Sequence, residues 1–315
     1  MKRGISLDTK NNMMCDLETG VCGPVGGDAA NTIEFIDLSA PKKTVDLYYV
    51  TDPICSHCWA LEPVLRKFVE QYGQYFNMHT LMGGLLENWD GFADVSNGIS
   101  GPGDVADHWR EVGVHSRMPI DGTLWHDNPI ESSFIPSRVY KVIQETSPEL
   151  ANTFLRRARE KLFAFNKNIA QDDMLINLVN RVGLNGEEIL KQSKLPAADT
   201  SLHEDFKQVR ELGVSGFPTI VMVNEEKKGV RIVGARTFED YTNALERLLP
   251  TETLTPGKLS KLEQLLLKEK TLFSREIEEY FSIEQPAVDT FISDQLSTVK
   301  YEVNEVLGEK YFTIK

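Results

Sequence analysis

The 315-residue sequence contains no apolar run that approaches the length of a membrane-spanning helix. Such a helix needs about 18 or more consecutive apolar residues, so the composition argues against a membrane protein. Residues 1–8 carry two basic side chains, but the apolar core of a secretory signal does not follow them. The sequence therefore predicts a cytoplasmic protein without a membrane partner.

Positive charge is also scarce. Lys and Arg number 34 against 47 Asp and Glu, which gives a net charge of −13. The mean electrostatic field of such a chain repels phosphate, which argues against a nucleic-acid partner. A hydrophobic content of 41% is ordinary for a folded protein, and the length suits one large domain and a smaller one.

Cysteine occurs only four times. Cytosolic thiols are mostly kept reduced, so redox or metal chemistry is a better explanation for these cysteines than structural disulfides. Cys55 and Cys58 are separated by Ser56 and His57, and they lie between an apolar run at 45–50 and a helical pattern. A strand, a Cys-x-x-Cys motif and a helix in this order are typical of a thioredoxin-like redox site.

The start of that helix favours a thiolate at Cys55, because free backbone N–H groups and the positive end of the helix dipole point toward it. A protonated His57 would add to this effect. Pro53, Ile54 and Trp59 are expected to shield the site and to leave Cys55 near the surface. We therefore predict a redox-active pair, Cys55 and Cys58.

A second landmark lies far downstream, where Phe217-Pro218-Thr219 opens an apolar run. A proline is poorly tolerated in a strand unless it lies at an edge or a bulge. In thioredoxin-like proteins a cis proline at this place faces the two cysteines, and X-Pro bonds adopt cis at low cost. We therefore expect Pro218 to support the dithiol site, as we do His57.

The pattern between these landmarks predicts the fold of residues 44–250. Strands are expected at 45–50, 78–82, 217–223 and 229–234, with helices at 56–72 and 238–249. Residues 100–212 show repeated helical spacing and form a helical block. The sequence thus predicts an α/β, thioredoxin-like fold of the DsbA type with a large helical insertion.

The sequence of residues 254–315 predicts a small separate domain. Helical patterns at 259–268, 274–280 and 285–296 precede two alternating segments, which suggests a winged-helix-like domain. Between Glu276 and Val299 there are six acidic residues and no Lys or Arg, so phosphate would be repelled from the recognition helix. A protein-docking or structural role is therefore expected rather than DNA binding.

Residues 1–43 are rich in Gly, Asn and Asp and predict a flexible N-terminal arm. The arm contains Cys15 and Cys22, whose spacing is compatible with a metal site, a reversible disulfide or two unpaired thiols. All four cysteines together could also ligate one zinc ion, since tetrahedral Cys₄ sites are common. The histidines add no pair with metal-ligand spacing on a helix.

The whole chain resembles the YjbH (SpxH) family of cytosolic DsbA-like proteins from Gram-positive bacteria. The resemblance rests on the N-terminal cysteine pair followed by Gly-Pro, on the run Asp52-Pro-Ile-Cys-Ser-His-Cys-Trp59, on the missing signal peptide and on the extra C-terminal region. It covers essentially the entire sequence, and the run around Cys55 is its most specific part.

This resemblance implies an adaptor rather than an enzyme. Members of the family bind the redox-responsive transcriptional regulator Spx and present it to the ClpXP protease, and small anti-adaptor proteins are a further class of partner. The cysteines would sense oxidants, either directly or through loss of zinc from the Cys15–Cys22 pair. The DsbA-like body and the acidic tail would then form a binding surface for a basic region of a partner.

Two other functions remain open at this point. The first is a cytosolic thiol–disulfide oxidoreductase, with Cys55 as attacking thiolate, Cys58 as resolving thiol and Pro218 as the contact to the substrate strand. The second is a DsbA-like isomerase that acts on small thiol-conjugated substrates.

Overall fold

The computed structural model describes residues 43–94, 97–297 and 300–314, together with the backbone of two short strands, β1 (Met13–Cys15) and β2 (Cys22–Pro24). These two strands pair antiparallel, with Cys15 opposite Cys22. Apart from them and Lys43, the predicted arm 1–43 lies outside the described residues. Residues 43–315 form a compact unit of their own.

A mixed four-stranded sheet organises this unit. Its strands are β3 (Val45–Thr51), β4 (Phe76–Met82), β5 (Thr219–Asn224) and β6 (Gly229–Val233). They lie in the order β4-β3-β5-β6, with β3 parallel to β4 and antiparallel to β5. The most apolar strands, β3 and β5, are central, because both faces of a covered sheet must be buried. All four strands were predicted, and each predicted end lies within two residues of the observed one.

Helix α1 (Ser56–Tyr72) follows β3 and begins and ends at the predicted residues. It continues without interruption through Pro63, where the sequence suggests a kink. Its apolar face packs on one side of the sheet, with Leu61 and Phe68 buried against Leu47 of β3. The N-terminus of this helix carries the Cys-x-x-Cys motif.

The predicted helical insertion lies between β4 and β5. It is confirmed as seven α-helices in the described part of the chain: α2 (Pro102–Ser116), α3 (Leu124–Asp127), α4 (Phe134–Thr146), α5 (Pro148–Arg159), α6 (Asp172–Arg181), α7 (Gly186–Ser193) and α8 (Pro196–Glu211). A π-helical turn, Glu160–Ala164, continues α5. The insertion forms the largest buried cluster, which includes Trp109, Phe154 and Phe163.

Helix α9 (Phe238–Leu248) follows β6 and packs beside α1, where Tyr241 and Leu245 join the cluster that contains Phe68. The Thr237 hydroxyl caps its first turn by accepting a hydrogen bond from the backbone N–H of Asp240, at 3.3 Å. None of the helices in the described ranges is both long and apolar enough to cross a membrane.

The tail contains three helices and three strands: α10 (Leu262–Glu269), β7 (Thr271–Phe273), α11 (Ser274–Phe281), α12 (Val288–Gln295), β8 (Tyr301–Val306) and β9 (Glu309–Ile314). Its antiparallel sheet has the order β7-β9-β8. The helices and the hairpin lie where the sequence places them, whereas β7 has three residues and gives no usable pattern. The winged-helix interpretation and the boundary near residue 254 stay predictions.

The tail is joined to the body by a buried electrostatic cluster. Both carboxylate oxygens of Glu276 in α11 accept hydrogen bonds from Arg156 of α5, at 3.0 and 2.9 Å, and Glu276 also lies 3.1 Å from Arg66 of α1. The Arg156 guanidinium stacks 4.6 Å from the centre of the Trp59 ring. Phe273 of β7 meets Trp59 edge-on, with ring centres 5.9 Å apart. The tail therefore packs on the residue that follows the dithiol.

Removal of the charge of Glu276 is expected to destabilise the whole unit. In Glu276→Gln, two buried arginines lose their shared partner, so the free energy of unfolding should fall by about 3 kcal/mol or more. The matched control is Glu279→Gln on the same helix, whose ion pair with Arg275 is less buried and should be worth about 1 kcal/mol or less. Urea denaturation of both variants tests this, and equal midpoints would contradict the role of Glu276.

Candidate functional site

The dithiol lies at the N-terminus of α1, as the sequence predicts. Cys55 is the N-cap residue, and its Sγ accepts a hydrogen bond from the backbone N–H of Cys58 at 3.3 Å. Both cysteines are free thiols. Cys58 has no exposed surface and Cys55 is only 6% exposed, so Cys55 is more deeply buried than the motif suggests.

Asp52 fixes the loop that leads into the dithiol. Its carboxylate accepts hydrogen bonds from the backbone N–H groups of Ile54 and Leu85, at 3.0 and 2.8 Å. The hydroxyl of Ser133, at the start of α4, donates a third at 2.9 Å. Burial nevertheless raises the pKa of Asp52. This fully buried side chain connects the dithiol loop to the insertion.

Arg159, at the end of α5, lies beneath the dithiol and has no exposed surface. Its guanidinium donates to Glu62 Oε1 at 2.6 Å, to the Asp52 carbonyl at 3.1 Å and to the Thr51 hydroxyl. A buried charge is costly unless it is paired and hydrogen-bonded. Glu62 balances this charge and both Nη atoms are bonded, while the buried Nε has no hydrogen-bond partner among the described residues. Arg159 thus places a permanent positive charge next to Cys58.

The pKa values of the two thiols are shifted in opposite directions. Burial, the neighbouring Cys58 and the Asp52 carboxylate raise the pKa of Cys55 well above its ordinary value. Burial also opposes the thiolate of Cys58, but a hydrogen bond from Cys55, the charge of Arg159 and a hydrogen bond from Thr51 lower the pKa of Cys58 overall. The surroundings therefore favour ionisation of the inner sulfur, Cys58, over that of Cys55, the reverse of the order that the motif predicts.

His57 is exposed between the two cysteines. Its ring centre lies 5.4 Å from that of His108 in α2. Partial burial, followed by the proximity of His108 and His115, lowers the pKa of His57. His57 is therefore more fully neutral at pH 7 than a free histidine, and the expected stabilisation of a thiolate by protonated His57 is not supported.

Cys55 and His57 line a cavity of about 530 Å³. Its walls come from the segment after β4, from the insertion and from the loop before β5, and they include Trp89, Trp109 and Trp125. Cavities of this size with apolar, aromatic walls and few polar groups are typical of sites that bind small molecules or side chains. The cavity therefore gives Cys55 a route to a partner despite its burial.

The proline landmark lies beside the same cavity. The Phe217–Pro218 peptide bond is cis, as predicted, and Phe217 lines the cavity with Cys55. The Phe217 ring packs on Gly83, where a β-carbon would lie 2.0 Å from a ring atom. Only glycine fits there, so the end of β4 and the proline loop are in direct contact.

The sequence predicts that Cys55, His57, Cys58 and Pro218 lie in one region. It did not identify Asp52 or Arg159 as functional neighbours of these residues. The signal for Arg159 was present. It falls on the apolar stripe of α5 between Leu155 and Leu162, where a charged residue requires a buried partner.

The second cysteine pair belongs to the N-terminal ribbon. Cys15 and Cys22 are directly opposite in the antiparallel register of β1 and β2. Directly opposed residues in such pairs have Cα atoms about 4.5–5.5 Å apart, a separation that a disulfide also requires. Elsewhere, the residues that the structure describes contain no group of three or more His, Cys, Asp or Glu suited to a metal ion.

Comparison with known proteins agrees with this architecture. The Thioredoxin family model matches residues 48–243. The cytosolic disulfide reductase DsbM from Pseudomonas aeruginosa superposes with a TM-score of 0.53 at 18% identity, over 66% of this chain and all of that one. That likeness concerns the fold alone.

Sequence relatives are more specific. The ClpXP adapter protein SpxH of Halalkalibacterium halodurans is 31% identical over 277 residues, which cover 87% of this chain and 88% of the relative. SpxH of Bacillus subtilis is 28% identical over 75% of this chain and 78% of its own length. The chain therefore belongs to the thioredoxin family and, within it, to the family of the ClpXP adapter protein SpxH.

The charge of Arg159 should control which sulfur ionises. In Arg159→Met we expect the pKa of Cys58 to rise by about one to three pH units, because the adjacent positive charge is lost. Arg159→Lys should preserve most of the effect. The ultraviolet absorbance of the thiolate, followed against pH, measures the change.

The matched control is Arg156→Met. Arg156 is also buried on α5, but it bonds to Glu276 of the tail rather than to the dithiol loop. Identical titrations of Arg156→Met and Arg159→Met would contradict a specific role for Arg159.

Proposed function

We propose that this chain is a cytoplasmic adaptor that binds the redox-responsive regulator Spx and promotes its degradation by ClpXP. The observation that carries the proposal is the relation to the SpxH adaptors. The match to the Halalkalibacterium protein spans 277 residues, which is longer than the predicted body 44–250 and so extends beyond it. A thiol enzyme that shared only the thioredoxin-like body would not match over that length.

The state of the dithiol supports a sensing role in this adaptor. A cysteine attacks more readily when it is exposed and its pKa is low, whereas Cys55 is buried and its pKa is raised. The pKa that is lowered belongs to Cys58, which has no exposed surface. Oxidation to a disulfide, with the two electrons passing to an external oxidant, would remove the ionisable Cys58 thiol from the side of Arg159, and the packing of Trp59 on the tail gives that change a path to a binding surface.

The function is tested by Spx degradation in a reconstituted ClpXP reaction. We expect the double variant Cys55→Ala, Cys58→Ala to accelerate degradation under reducing conditions at an unchanged rate, because presentation of a client requires no thiol exchange. Ser56→Ala in the same turn is the matched control. Lost acceleration with retained Spx binding would show that exchange by the dithiol is required and would reject the adaptor-only mechanism.

A second function, thiol–disulfide exchange, is favoured by one observation, the aromatic cavity that Cys55 lines. In this reaction the Cys55 thiolate attacks a client disulfide, forms a mixed disulfide and releases one client sulfur as thiolate. Cys58 then attacks the sulfur of Cys55 and releases the second client thiolate. The client gains two electrons, and the Cys55–Cys58 pair ends as a disulfide.

We also propose that the N-terminal pair, Cys15 and Cys22, binds a zinc ion. The register that opposes Cys15 to Cys22 suits two ligands of one tetrahedral ion, whose other ligands would come from elsewhere. Metal analysis of protein purified without chelators should find zinc in the wild type and in Cys55→Ser, Cys58→Ser. The variant Cys15→Ser, Cys22→Ser should lack it. A wild-type protein that lacks zinc would contradict the proposal.

A further inference from the structure

One surface of this acidic protein is lined by positively charged side chains. A groove of about 330 Å³ runs along the edge strand β6 and the start of α9. We call it the β6–α9 groove, and its walls include residues 230–233, Arg236, Asp240, Asn243 and Arg247. Three arginines thus line one groove of a chain whose net charge is −13. These residues are distinct from those around the dithiol.

All three arginines are exposed, and Arg231 and Arg236 each donate one hydrogen bond to a backbone carbonyl. Within α9, Asp240, Asn243 and Arg247 recur at intervals of three and four residues, so they lie along one side of the helix, and Arg236 precedes its N-cap. Among the described residues, neither Arg236 nor Arg247 forms an ion pair. Asp240 is the single acid of the groove, and its Oδ2 atom already accepts bonds from the N–H and hydroxyl of Thr237, each at 3.1 Å.

The backbone of β6 is open on the same side, because β6 is the last strand of the sheet. Gly234 N–H donates to the Pro218 carbonyl at 2.8 Å and Asn224 N–H to the Lys228 carbonyl at 2.9 Å, which marks 218/234 and 224/228 as hydrogen-bonded pairs. Hydrogen-bonded and non-hydrogen-bonded pairs alternate in an antiparallel ladder.

The register fixes the intervening pairs. Arg231 opposes Val221 and Val233 opposes Thr219, and both pairs are of the non-hydrogen-bonded kind. Their N–H and C=O groups therefore point away from β5, toward the groove. The Val233 carbonyl accepts a bond from Arg236 Nε at 3.0 Å. This leaves the N–H and C=O of Arg231 and the N–H of Val233 to pair with another strand.

The side chains around this edge define what that strand must carry. Arg231 lies on one face of the sheet, where its Nη1 reaches the Gly213 carbonyl at 2.5 Å. Val230 and Ile232 point to the other face, toward α9, the helix that carries Arg247. An added strand thus meets an arginine on each face, and Val233, 52% exposed, offers an apolar contact.

We propose that the β6–α9 groove binds an acidic, extended segment of a partner protein, which adds a strand to the edge of β6. Backbone hydrogen bonds to Arg231 and Val233 supply the pairing, and Arg231 and Arg247 select acidic side chains. A longer polyanion such as nucleic acid fits less well, because exposed Glu239 and Glu246 are the chain neighbours of Asp240 and Arg247 in the groove wall. This inference does not depend on the adaptor function.

The probe for the test is a fluorescent peptide of alternating Glu and Val. We expect saturable binding in an anisotropy titration at low salt, weakened by added salt. Arg231→Glu and Arg247→Glu should each weaken binding by about tenfold or more, because each charge reversal replaces an attraction with a repulsion. Arg181→Glu on α6 is the matched control and should leave the affinity unchanged. No binding, or equal binding to all variants, overturns the proposal.

Two further measurements separate strand addition from charge alone. A peptide of the same charge with a central proline should bind at least about tenfold less tightly, because proline removes a donor and distorts the ladder. Hydrogen exchange should slow at the amides of Arg231 and Val233 on binding. The amides of Val230 and Ile232 already bond to β5 and serve as internal references.

Other occupants give distinguishable results. If the proline peptide binds as well, or if inorganic phosphate displaces the probe at low concentration, the groove is an anion site and strand addition is rejected. If the chain alone self-associates and Arg247→Glu abolishes the association, a second copy occupies the groove, and the proposed partner is rejected.

Discussion

The buried positive charge of Arg159 is the constraint on which the rest of the structure depends. A guanidinium without exposed surface is costly unless its donors and its charge are satisfied. Thr51 and Asp52 at the end of β3 and Glu62 of α1 bond to its Nη atoms, and Glu62 balances its charge. One turn earlier on α5, the buried Arg156 pairs with Glu276 of the tail. These two arginines therefore determine how the sheet, the dithiol helix, the insertion and the tail are assembled.

The same charge decides the chemistry of the dithiol. Because Arg159 lies on the side of Cys58, it lowers the pKa of a thiol that has no exposed surface, while burial raises the pKa of Cys55. Thiol exchange needs the reverse, an accessible thiolate at the outer position. A thioredoxin-like fold thus carries a dithiol whose outer sulfur has the raised pKa and whose inner sulfur has the lowered one. A disulfide would remove the ionisable Cys58 thiol from the side of Arg159, whose acidic neighbours would then be Glu62 and Asp52.

Much of the fold could be predicted because its signals are local. The strands, α1 and the cis proline follow from apolar periodicity and from motifs within a few residues of one another. Elements of three or four residues, such as β7 and α3, are too short to show a period. The site was harder, because its contacts join distant residues: Ser133 lies 81 positions from Asp52, and Arg159 lies 108 positions from Thr51. The burial of Cys55 and the lowered pKa of His57 depend on such partners, so neither follows from the local motif.

The charge pattern of the sheet edge has a further consequence. An open edge strand is a template for pairing with any exposed strand, including the same strand of another copy. If two copies paired symmetrically about Arg231, the two Arg231 side chains would lie directly opposite, and like charges in that position are destabilising. The arginines thus disfavour symmetric self-pairing while they attract an acidic strand. The net charge of −13 acts over longer distances and repels other acidic proteins, so a partner must present its acidic segment closely and in the correct register to be bound.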